Sequence, residues 1–426
     1  MKQVNLVDLQ QPVLQRIRNS CKSFFKRYFN TNSLITAILF SLPIYLSSFG
    51  ENYLIKFLNS FISVTAFYWF LNKKHSFFQT GFFIGMFWFW WIALSFRYYG
   101  LSFLIPVIIL GIAAGYGSIF WFIDKIFSWL KKYNTRLQTL LWAFFLIFGF
   151  DYIKPFTFDW LKPEVLIANS FFSPLKITLF LLITAIVLKN KLSLILITIA
   201  LFIHPKPITP PPLKINLITT YIPQDKKWNP KYIPQEIKNN FKDITNSIGK
   251  YDAVVLPESA FPIFLNKHPN IINKLKLLSY KITIITGGLH LKNGKFYNST
   301  YIFEKGNMKI LDKHILVPFG EYIPLPFFQK EINKIFFEGA SDYATSKHFS
   351  VFKIKNTDFI NAICYEATVT ELYKIFPKYV IALSNLAWFE PSIAGTLQKL
   401  LITVYAKRYG KKVFHSINYY PSYTIN

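Results

Sequence analysis

The sequence contains few cysteines, few charged residues and few acids, and each shortage argues against a class of protein. Its two cysteines, Cys21 and Cys364, cannot build a disulfide framework or a cysteine-rich metal site. Charged residues make up 16% of the 426 residues. An ordinary soluble domain carries about 25%, so a wholly soluble protein is not expected. Aromatic residues make up 19%, which excludes disorder as the main state.

The charge of the chain is strongly of one sign. Lysine and arginine number 48 and the acids 21, which gives a net charge of +27. Such a charge suits nucleic acid or an anionic membrane surface. Long apolar runs favour the membrane, because a nucleic-acid binder does not need them, and we expect no nucleic-acid partner. The seven histidines show no ligand spacing, so we expect no metal site and no cofactor.

Apolar runs dominate the first half of the chain. A membrane-spanning helix needs about 20 mostly apolar residues. Seven runs are candidates: Leu34–Phe49, Tyr53–Leu71, Phe77–Phe96, Leu101–Ile123, Leu137–Ile153, Leu175–Leu188 and Leu192–His204. Lysine and arginine concentrate before the first run and in alternate links, which predicts a cytoplasmic N-terminus. Seven crossings would then place everything after Pro205 on the outer side. A transporter is the alternative for this half, but the runs hold almost no ionisable residue to mark a path.

The chain therefore divides into four predicted segments. Residues 1–33 form a cytoplasmic basic arm, 34–204 a multi-span α-helical membrane domain, 205–214 a proline-rich connector and 215–426 an outer α/β domain. Strands are predicted at Ile215–Thr220, Asp252–Pro257, Lys281–Gly288, Tyr297–Glu304, His348–Ile354, Phe359–Cys364, Tyr379–Asn385 and Lys412–Ile417. Helices are predicted at Pro234–Ile248, Asn270–Tyr280, Glu366–Phe376 and Ile393–Tyr409. This alternation indicates sheets with helices on their faces.

Three ionisable groups of the second half stand out by position. Glu258 follows the apolar strand in VVLPESAFP, Lys313 lies in DKHILVPFGEYIP, and Cys364 ends the strand FINAIC. A thiol between a strand end and a helix N-terminus is expected to have a lowered pKa, and the thiolate is the nucleophile. A carboxylate can take the thiol proton and a lysine can stabilise an oxyanion. Taken singly, each has an ordinary structural explanation: a core cysteine, a helix cap and a surface lysine.

Together these motifs resemble the nitrilase, or carbon–nitrogen hydrolase, superfamily. The shared motifs, in family order, are YIPQDKKW (221–228), PESA (257–260), KHILVPFGEYIP (313–324), AICYE (362–366) and SNLAWF (384–389). Joined to several N-terminal spans, they resemble the apolipoprotein N-acyltransferase family over nearly the whole chain. The resemblance implies that the second half is a periplasmic nitrilase-like domain with the αββα sandwich fold.

The resemblance also implies roles for individual residues. Cys364 matches the nucleophile, Glu258 the general base and Lys313 the oxyanion-stabilising lysine. Three residues match positions that support this triad: Glu321, Tyr365 and Glu366. Four match substrate-binding positions: Trp228, Asn298, Asn385 and Trp388. Membrane anchoring is the alternative role for the two tryptophans.

The resemblance implies an activity at the membrane. An acyl chain would pass from a phospholipid to Cys364 as a thioester, and then to the α-amine of the N-terminal diacylglyceryl-cysteine of an apolipoprotein. The enzyme would be a monomer in the bacterial inner membrane. Two alternatives remain open at this point. One is a membrane-tethered amidase or nitrilase with the same Glu-Lys-Cys triad, and the other is a non-catalytic lipid-binding relative.

The sequence departs from the family pattern at several positions. Leu256 replaces a tryptophan, and Leu386 and Glu390 stand where the family has Asp and Gly. The last residues contain no run near the ~20 apolar residues of a span. We therefore expect no final membrane helix and an outer C-terminus whose tyrosines suit an edge at the lipid interface. The connection from Pro324 to Ser350 is predicted to be a lid over the site.

Overall fold

The computed structural model describes residues 30–130, 136–318, 320–322 and 343–426. Residues 1–29 of the predicted basic arm, with Cys21, lie outside the described residues, as does most of the predicted lid. In the described part, seven helices precede residue 205: α1 (Thr31–Ser47), α2 (Tyr53–Asn72), α3 (Phe77–Phe89), α4 (Ile105–Leu130), α5 (Leu137–Phe148), α6 (Lys176–Leu188) and α7 (Lys191–Phe202). Each coincides with one of the predicted runs.

Three of the helical stretches are long and apolar enough to cross a membrane. They are Tyr53–Asn72, Phe77–Tyr99 and Ser102–Leu130. The second includes a 3₁₀ stretch, Trp90–Tyr99, after α3. The other four helices are apolar but shorter, with 12 to 17 residues. A membrane domain is therefore present, and seven crossings remain a prediction.

Twelve strands form two mixed sheets of six strands each in the described part of the chain. The first sheet contains β1 (Ile215–Leu217), β3 (Ala253–Val255), β4 (Phe261–Phe264), β5 (Thr283–Lys292), β6 (Lys295–Glu304) and β7 (Asn307–Asp312). The second contains β2 (Thr219–Thr220), β8 (Val351–Ile354), β9 (Thr357–Ile363), β10 (Tyr379–Asn385), β11 (Lys412–Asn418) and β12 (Tyr423–Ile425). In the first, β1, β3 and β5 are parallel; in the second, β9, β10 and β11 are parallel.

Helices cover the outer face of each sheet. They are α9 (Ile233–Ser247), α10 (Pro269–Leu278), α11 (Thr370–Tyr373) and α12 (Ala394–Tyr409), whereas the short helix α8 (Gln224–Lys227) lies near the end of β10. One apolar core lies between the sheets and includes Val255 of the first sheet and Ile381 and Leu383 of the second. A second joins the first sheet to α9 and α10. The result is the αββα sandwich that the resemblance implied.

The third core joins the two halves of the protein. It begins at the outer face of the second sheet, with Ala362 and Ala382, and continues through Leu401 of α12. From there it extends without a break to Phe67 of α2 and Trp88 of α3. The α/β half, here called the catalytic half for the activity that the resemblance implies, therefore packs against the membrane half through a continuous buried surface.

Several predicted elements were wrong in kind or in extent. The predicted helix Glu366–Phe376 is a 3₁₀ turn, Cys364–Thr368, followed by the single helical turn of α11. The predicted strand Ile215–Thr220 is divided into β1 and β2, which belong to different sheets. The sequence interpretation missed β4, β7 and β12. The tyrosine-rich C-terminal residues include β12, which pairs with β11 at the edge of its sheet.

Candidate active site

Strand ends from both sheets bring the candidate residues together. Glu258 follows β3 of the first sheet, while Cys364 follows β9 and Asn385 ends β10 of the second. Glu258 Oε2 accepts a hydrogen bond from the backbone N–H of Asn385 at 2.7 Å, which joins the sheets at this edge. The side chains of Cys364 and Glu258 lie close enough to interact with each other. The predicted base and nucleophile are thus neighbours in the fold.

Lys313 enters the site from the end of β7. Its side chain is fully buried, and its Nζ lies 2.7 Å from Glu321 Oε2. Apart from this ion pair, Nζ has no hydrogen-bond partner among the described residues. The ammonium group therefore keeps donors available for an oxyanion that forms beside Cys364.

Asn298 of β6 lies between two carboxylates. Its Nδ2 donates to Glu258 Oε1 at 2.8 Å and to Glu321 Oε1 at 2.9 Å. Two carboxylates this close repel each other, and a shared amide donor stabilises both in the charged form. Asn298, predicted on the substrate side, thus fixes the base and the second glutamate in place.

Asn385, also predicted on the substrate side, is a structural part of the site as well. Its backbone N–H holds Glu258, and its side-chain amide donates to Gln224 Oε1 at 2.9 Å. Its Oδ1 accepts from Asn418 Nδ2 at 2.8 Å. The polar groups of Asn385 are therefore engaged with the protein.

Cys364 occupies a strained backbone position. Its φ is +54°, in the left-handed region that residues with a Cβ adopt at a cost. Ser259, next to the base, has φ +50°. Gly287 of β5 allows this second turn to approach closely, because a Cβ at Gly287 would lie 2.3 Å from Ser259 N. Surrounding contacts therefore impose both conformations.

Glu366 supplies much of that constraint around the nucleophile. It is 2% exposed, and its Oε2 accepts the backbone N–H of Ile363 at 2.7 Å. Its Oε1 accepts the N–H groups of His314 at 2.6 Å and Ile315 at 3.0 Å. Glu366 thus fixes the Cys364 turn to the segment that follows Lys313. Tyr365 points the other way, and its hydroxyl donates to the carbonyl of Thr157 in the membrane half at 2.8 Å.

The expected lowering of the Cys364 pKa is wrong. Burial, followed by the charge of Glu258, raises the pKa of the thiol well above its ordinary value, and Lys313 offsets only part of this. The 3₁₀ turn Cys364–Thr368 is too short to provide the helix dipole that the sequence suggested. The resting nucleophile is therefore a thiol that needs a base at the moment of attack.

Glu258 is suited to be that base. Burial raises its pKa above the ordinary value, Lys313 opposes the change and Glu321 adds to it. A raised carboxylate pKa lies closer to neutral pH, where a general base is most effective. Burial alone would lower the pKa of Lys313, but Glu321 and Glu258 raise it above its ordinary value, so this group stays cationic.

The two predicted tryptophans lie in different surroundings. Trp228 is 36% exposed at the end of α8. Trp388 is half-buried, stacks on Tyr99 of the membrane half at 5.9 Å between ring centres, and meets Tyr98 edge-on at 5.5 Å. The hydroxyl of Tyr98 also donates to the carbonyl of Ala387 at 3.1 Å. The turn after Asn385 therefore rests on the end of a candidate span.

Sequence reasoning missed the buried side of α8. Gln224 and Lys227 are buried there, while Asp225 and Lys226 between them are exposed. Burial lowers the pKa of Lys227 to about 8, although Glu236 and Glu258 oppose the change. A spacing of three residues puts two side chains on one face of a helical turn, and this spacing was the signal available.

Metal ligands are not grouped in the described part of the chain. No cluster of three or more His, Cys, Asp or Glu side chains there could hold a metal ion. The chemistry considered below uses the side chains of the protein.

Comparison with known proteins agrees with this architecture. Residues 27–205 match the family model of the apolipoprotein N-acyltransferase integral membrane domain. The chain is 39% identical to the apolipoprotein N-acyltransferase of Wolinella succinogenes, over 92% of this chain and 94% of the relative. It is 38% identical to that of Campylobacter jejuni, over 93% and 91%. A solved CN-hydrolase superfamily protein of Xanthomonas campestris aligns with 48% of this chain and 76% of its own, at a TM-score of 0.36 and 13% identity. Because relatives of this similarity align over both the membrane half and the catalytic half, the chain belongs to the apolipoprotein N-acyltransferase family.

Proposed function

We propose that this chain transfers an acyl chain from a phospholipid to the N-terminal amine of diacylglyceryl apolipoproteins, through a thioester on Cys364. One observation carries the proposal: the Glu258–Cys364 pair lies in a domain that is packed onto a membrane domain. The turn that follows Asn385 contacts Tyr98 and Tyr99 at the end of a candidate span. A site in this position is suited to substrates that reside in the bilayer.

The first half-reaction forms the thioester. Glu258 takes the thiol proton as the sulfur of Cys364 attacks the ester carbonyl of the phospholipid. Lys313 and a backbone N–H stabilise the tetrahedral oxyanion. The ester C–O bond then breaks, Glu258 returns the proton to the departing oxygen, and the lysophospholipid leaves.

The second half-reaction consumes the thioester. The α-amine of the apolipoprotein attacks the thioester carbonyl, and Glu258 accepts the proton that the amine loses. The C–S bond breaks, Glu258 gives the proton to the departing sulfur so that the thiol of Cys364 is restored, and an amide is formed. Exclusion of water from the loaded site suppresses hydrolysis of the thioester.

Glu321, Tyr365 and Glu366 have supporting roles in this proposal. Glu321 positions Lys313 through their ion pair. Glu366 and Tyr365 hold the turn of Cys364 from opposite sides. Asn298 and Asn385 orient Glu258. Trp228 and Trp388, which flank the site in sequence, are proposed to contact the substrates.

The membrane arrangement is proposed from the charge distribution. Residues 34–204 would span the bacterial inner membrane about seven times, with residues 205–214 as connector. Residues 215–426 would then lie on the periplasmic side, and the protein would act as a monomer. The positive-inside pattern supports this orientation.

Intact mass spectrometry tests the reaction directly. Purified protein incubated with a diacyl phospholipid should gain the mass of one acyl chain, and addition of a diacylglyceryl lipopeptide should remove it. Cys364→Ser should gain no mass, and Glu258→Gln should load at least ~10²-fold more slowly because it lacks the base. Cys21→Ser is the matched control and should load normally.

The same measurement separates the alternatives. An amidase with this triad would release acid from a small amide and would give no adduct with phospholipid. A lipid-binding relative would give no covalent adduct with either substrate. A wild-type protein that never gains an acyl mass would contradict the proposal.

A further inference from the structure

The segment between α5 and α6 reaches from the membrane half to the turn that carries Cys364. It carries charged residues at Lys154, Asp159, Lys162 and Glu164. In the structure, Asp159 is 2% exposed, Lys162 1% and Glu164 0%. Charged groups are rarely buried to this extent unless they are paired. The charged side chains of this segment therefore belong to the ordered interior of the protein.

Ion pairs fix the segment to both halves. Lys162 pairs with Asp159 inside the segment. Glu164 pairs with Lys176 of α6 at 2.7 Å, and with Arg408 of α12 in the catalytic half at 2.5 Å. The segment is thus held between the two halves at a fixed position.

Trp160 extends from this segment to the nucleophile turn. Its indole N–H donates to Thr368 Oγ1 at 2.8 Å, and the hydroxyl of Thr368 donates onward to the carbonyl of Tyr365 at 2.7 Å. Trp160 is 4% exposed and Thr368 is fully buried. A lost partner in this chain of hydrogen bonds could not be replaced by bulk water.

Tyr365 provides a second connection. Its hydroxyl donates to the carbonyl of Thr157, and its ring stacks on Phe158 with 6.1 Å between ring centres and 6° between planes. Phe158 stacks in turn on Trp160 at 5.2 Å. The residues that follow Cys364 are therefore held at two points by the membrane half.

The Cys364 turn needs such support. It is a five-residue 3₁₀ turn that begins with φ +54° at the nucleophile. A short turn with an unfavourable backbone angle persists only when its surroundings determine it. Glu366 provides the contacts from within the catalytic half, and the Trp160 segment provides those from the membrane half.

We propose that Trp160 is a positioning residue of the membrane half, which acts through Thr368 to hold Cys364 in the conformation that reacts. The inference rests on the proposed role of Cys364. It assigns to the membrane domain a part in the chemistry that is separate from anchoring. Loss of the indole N–H should slow acylation of Cys364 and leave the KM for phospholipid unchanged.

The test uses full-length protein in a Cys21→Ser background. Trp160→Phe keeps an aromatic ring but removes the N–H together with part of the indole, and Thr368→Val removes the hydroxyl with little change in shape. Both should slow alkylation of Cys364 by iodoacetamide and single-turnover acyl loading by about 10-fold or more, because small misplacements of a reacting group are costly. The double variant should be no slower than the slower single variant, because Trp160 acts through the Thr368 hydroxyl and its loss adds nothing once that hydroxyl is gone.

Two variants serve as controls. Trp142→Phe is matched, because Trp142 is 2% exposed and donates its N–H to Asp124 within the membrane half. It should alkylate and load at the wild-type rate. Thr368→Ser keeps the hydroxyl and should retain most of the rate. Thermal unfolding of every variant is followed in parallel, so that a rate is compared only among folded proteins.

The outcomes are distinct. Wild-type rates in Trp160→Phe, or an equal loss in Trp142→Phe, would overturn the positioning role. Additive losses in the double variant would do the same. Failure of the proposed function is recognised separately, because the wild-type protein would then gain no acyl mass from phospholipid.

Discussion

The carboxylate of Glu366 accepts the backbone N–H of His314 at 2.6 Å. This hydrogen bond joins the turn that carries Cys364 to the segment that carries Lys313. The distance between nucleophile and oxyanion donor is thereby fixed by a residue that takes no part in bond making. The same carboxylate also accepts hydrogen bonds from the backbone N–H groups of Ile315 and Ile363, so its two oxygens bond three backbone donors in all.

Glu366→Gln should therefore weaken the connection between the Cys364 turn and the segment that follows Lys313. Glutamine offers one acceptor oxygen where glutamate has two, so at least one buried backbone N–H loses its partner. We expect acyl loading to fall by about 10²-fold or more. The measurement is single-turnover loading by intact mass. Glu371→Gln is the control, because Glu371 is 55% exposed, and its loading rate should match the wild type. Equal rates for the two variants would contradict the bridging role.

Lys313→Ala should lower the rate of thioester formation by about 10²–10³, the loss typical of an oxyanion donor. The reason is that, among the described residues, Nζ pairs only with Glu321 and lies close enough to Cys364 for their charges to interact. The matched control is Lys309→Ala, an exposed lysine on the same strand β7. If the Lys313 variant loaded acyl chain at the Lys309 rate, Lys313 would have no oxyanion role.

Asn298→Leu should move the pH dependence of loading. The amide of Asn298 lowers the pKa of Glu258, so its removal raises that pKa further. A base with a higher pKa becomes protonated at higher pH, and the acidic limb of the rate profile should shift to higher pH. The rate is followed across the acidic and neutral range. Ser299→Ala changes the next residue, whose hydroxyl bonds Asp312 instead, and should leave the limb in place.

The contribution of Lys227 to the free energy of unfolding should rise with pH in the alkaline range. Its pKa is about 8 in the folded protein, below the ordinary 10.5, mainly because it is buried. Between these two values the unfolded chain binds more protons than the folded one, so this site favours folding increasingly as the pH rises. We expect the Tm of Lys227→Met minus the Tm of the wild type to decrease from pH 7 to pH 10. The exposed neighbour Lys226→Met should show a constant difference. A constant difference for both would refute burial of the Lys227 charge.

Cysteine labelling checks the proposed topology. In a Cys21→Ser background, Leu277→Cys places a thiol on α10, where the native side chain is 69% exposed. Lys73→Cys places one in the exposed link between α2 and α3. A membrane-impermeant maleimide added to spheroplasts should label position 277 at once. Position 73 should be labelled only after the membrane is opened. The opposite pattern would place the catalytic domain in the cytoplasm.

The local sequence was sufficient for elements with a strong pattern of their own. The strand Tyr379–Asn385 was predicted with its observed bounds. Its sequence is a short apolar run that contains β-branched residues and ends in polar ones, a pattern typical of a buried strand. The seven apolar runs gave the positions of α1 to α7 for the same reason. The motifs around Glu258, Lys313 and Cys364 identified three side chains that the structure brings together.

Elements that depend on distant partners could not be predicted. β7 and β12 are short or polar and exist because β6 and β11 offer free edges. The helix expected after Cys364 is replaced by a 3₁₀ turn, since Glu366 and the Trp160 segment determine the backbone there. In each case tertiary contacts outweigh local propensity.

The electrostatics of the site were decided by the tertiary structure alone. The sequence suggested a lowered thiol pKa from a helix terminus, whereas burial and Glu258 raise it. Nothing in the sequence indicated that the amide of Asn298 donates to both Glu258 and Glu321. Nor did it indicate that Trp160 bonds Thr368, which lies 208 residues further along the chain. The sequence by itself determined which groups are present and roughly which strands carry them. Only the folded chain decided which of them share a buried volume, because desolvation and charge interactions depend on distance through space, not along the chain.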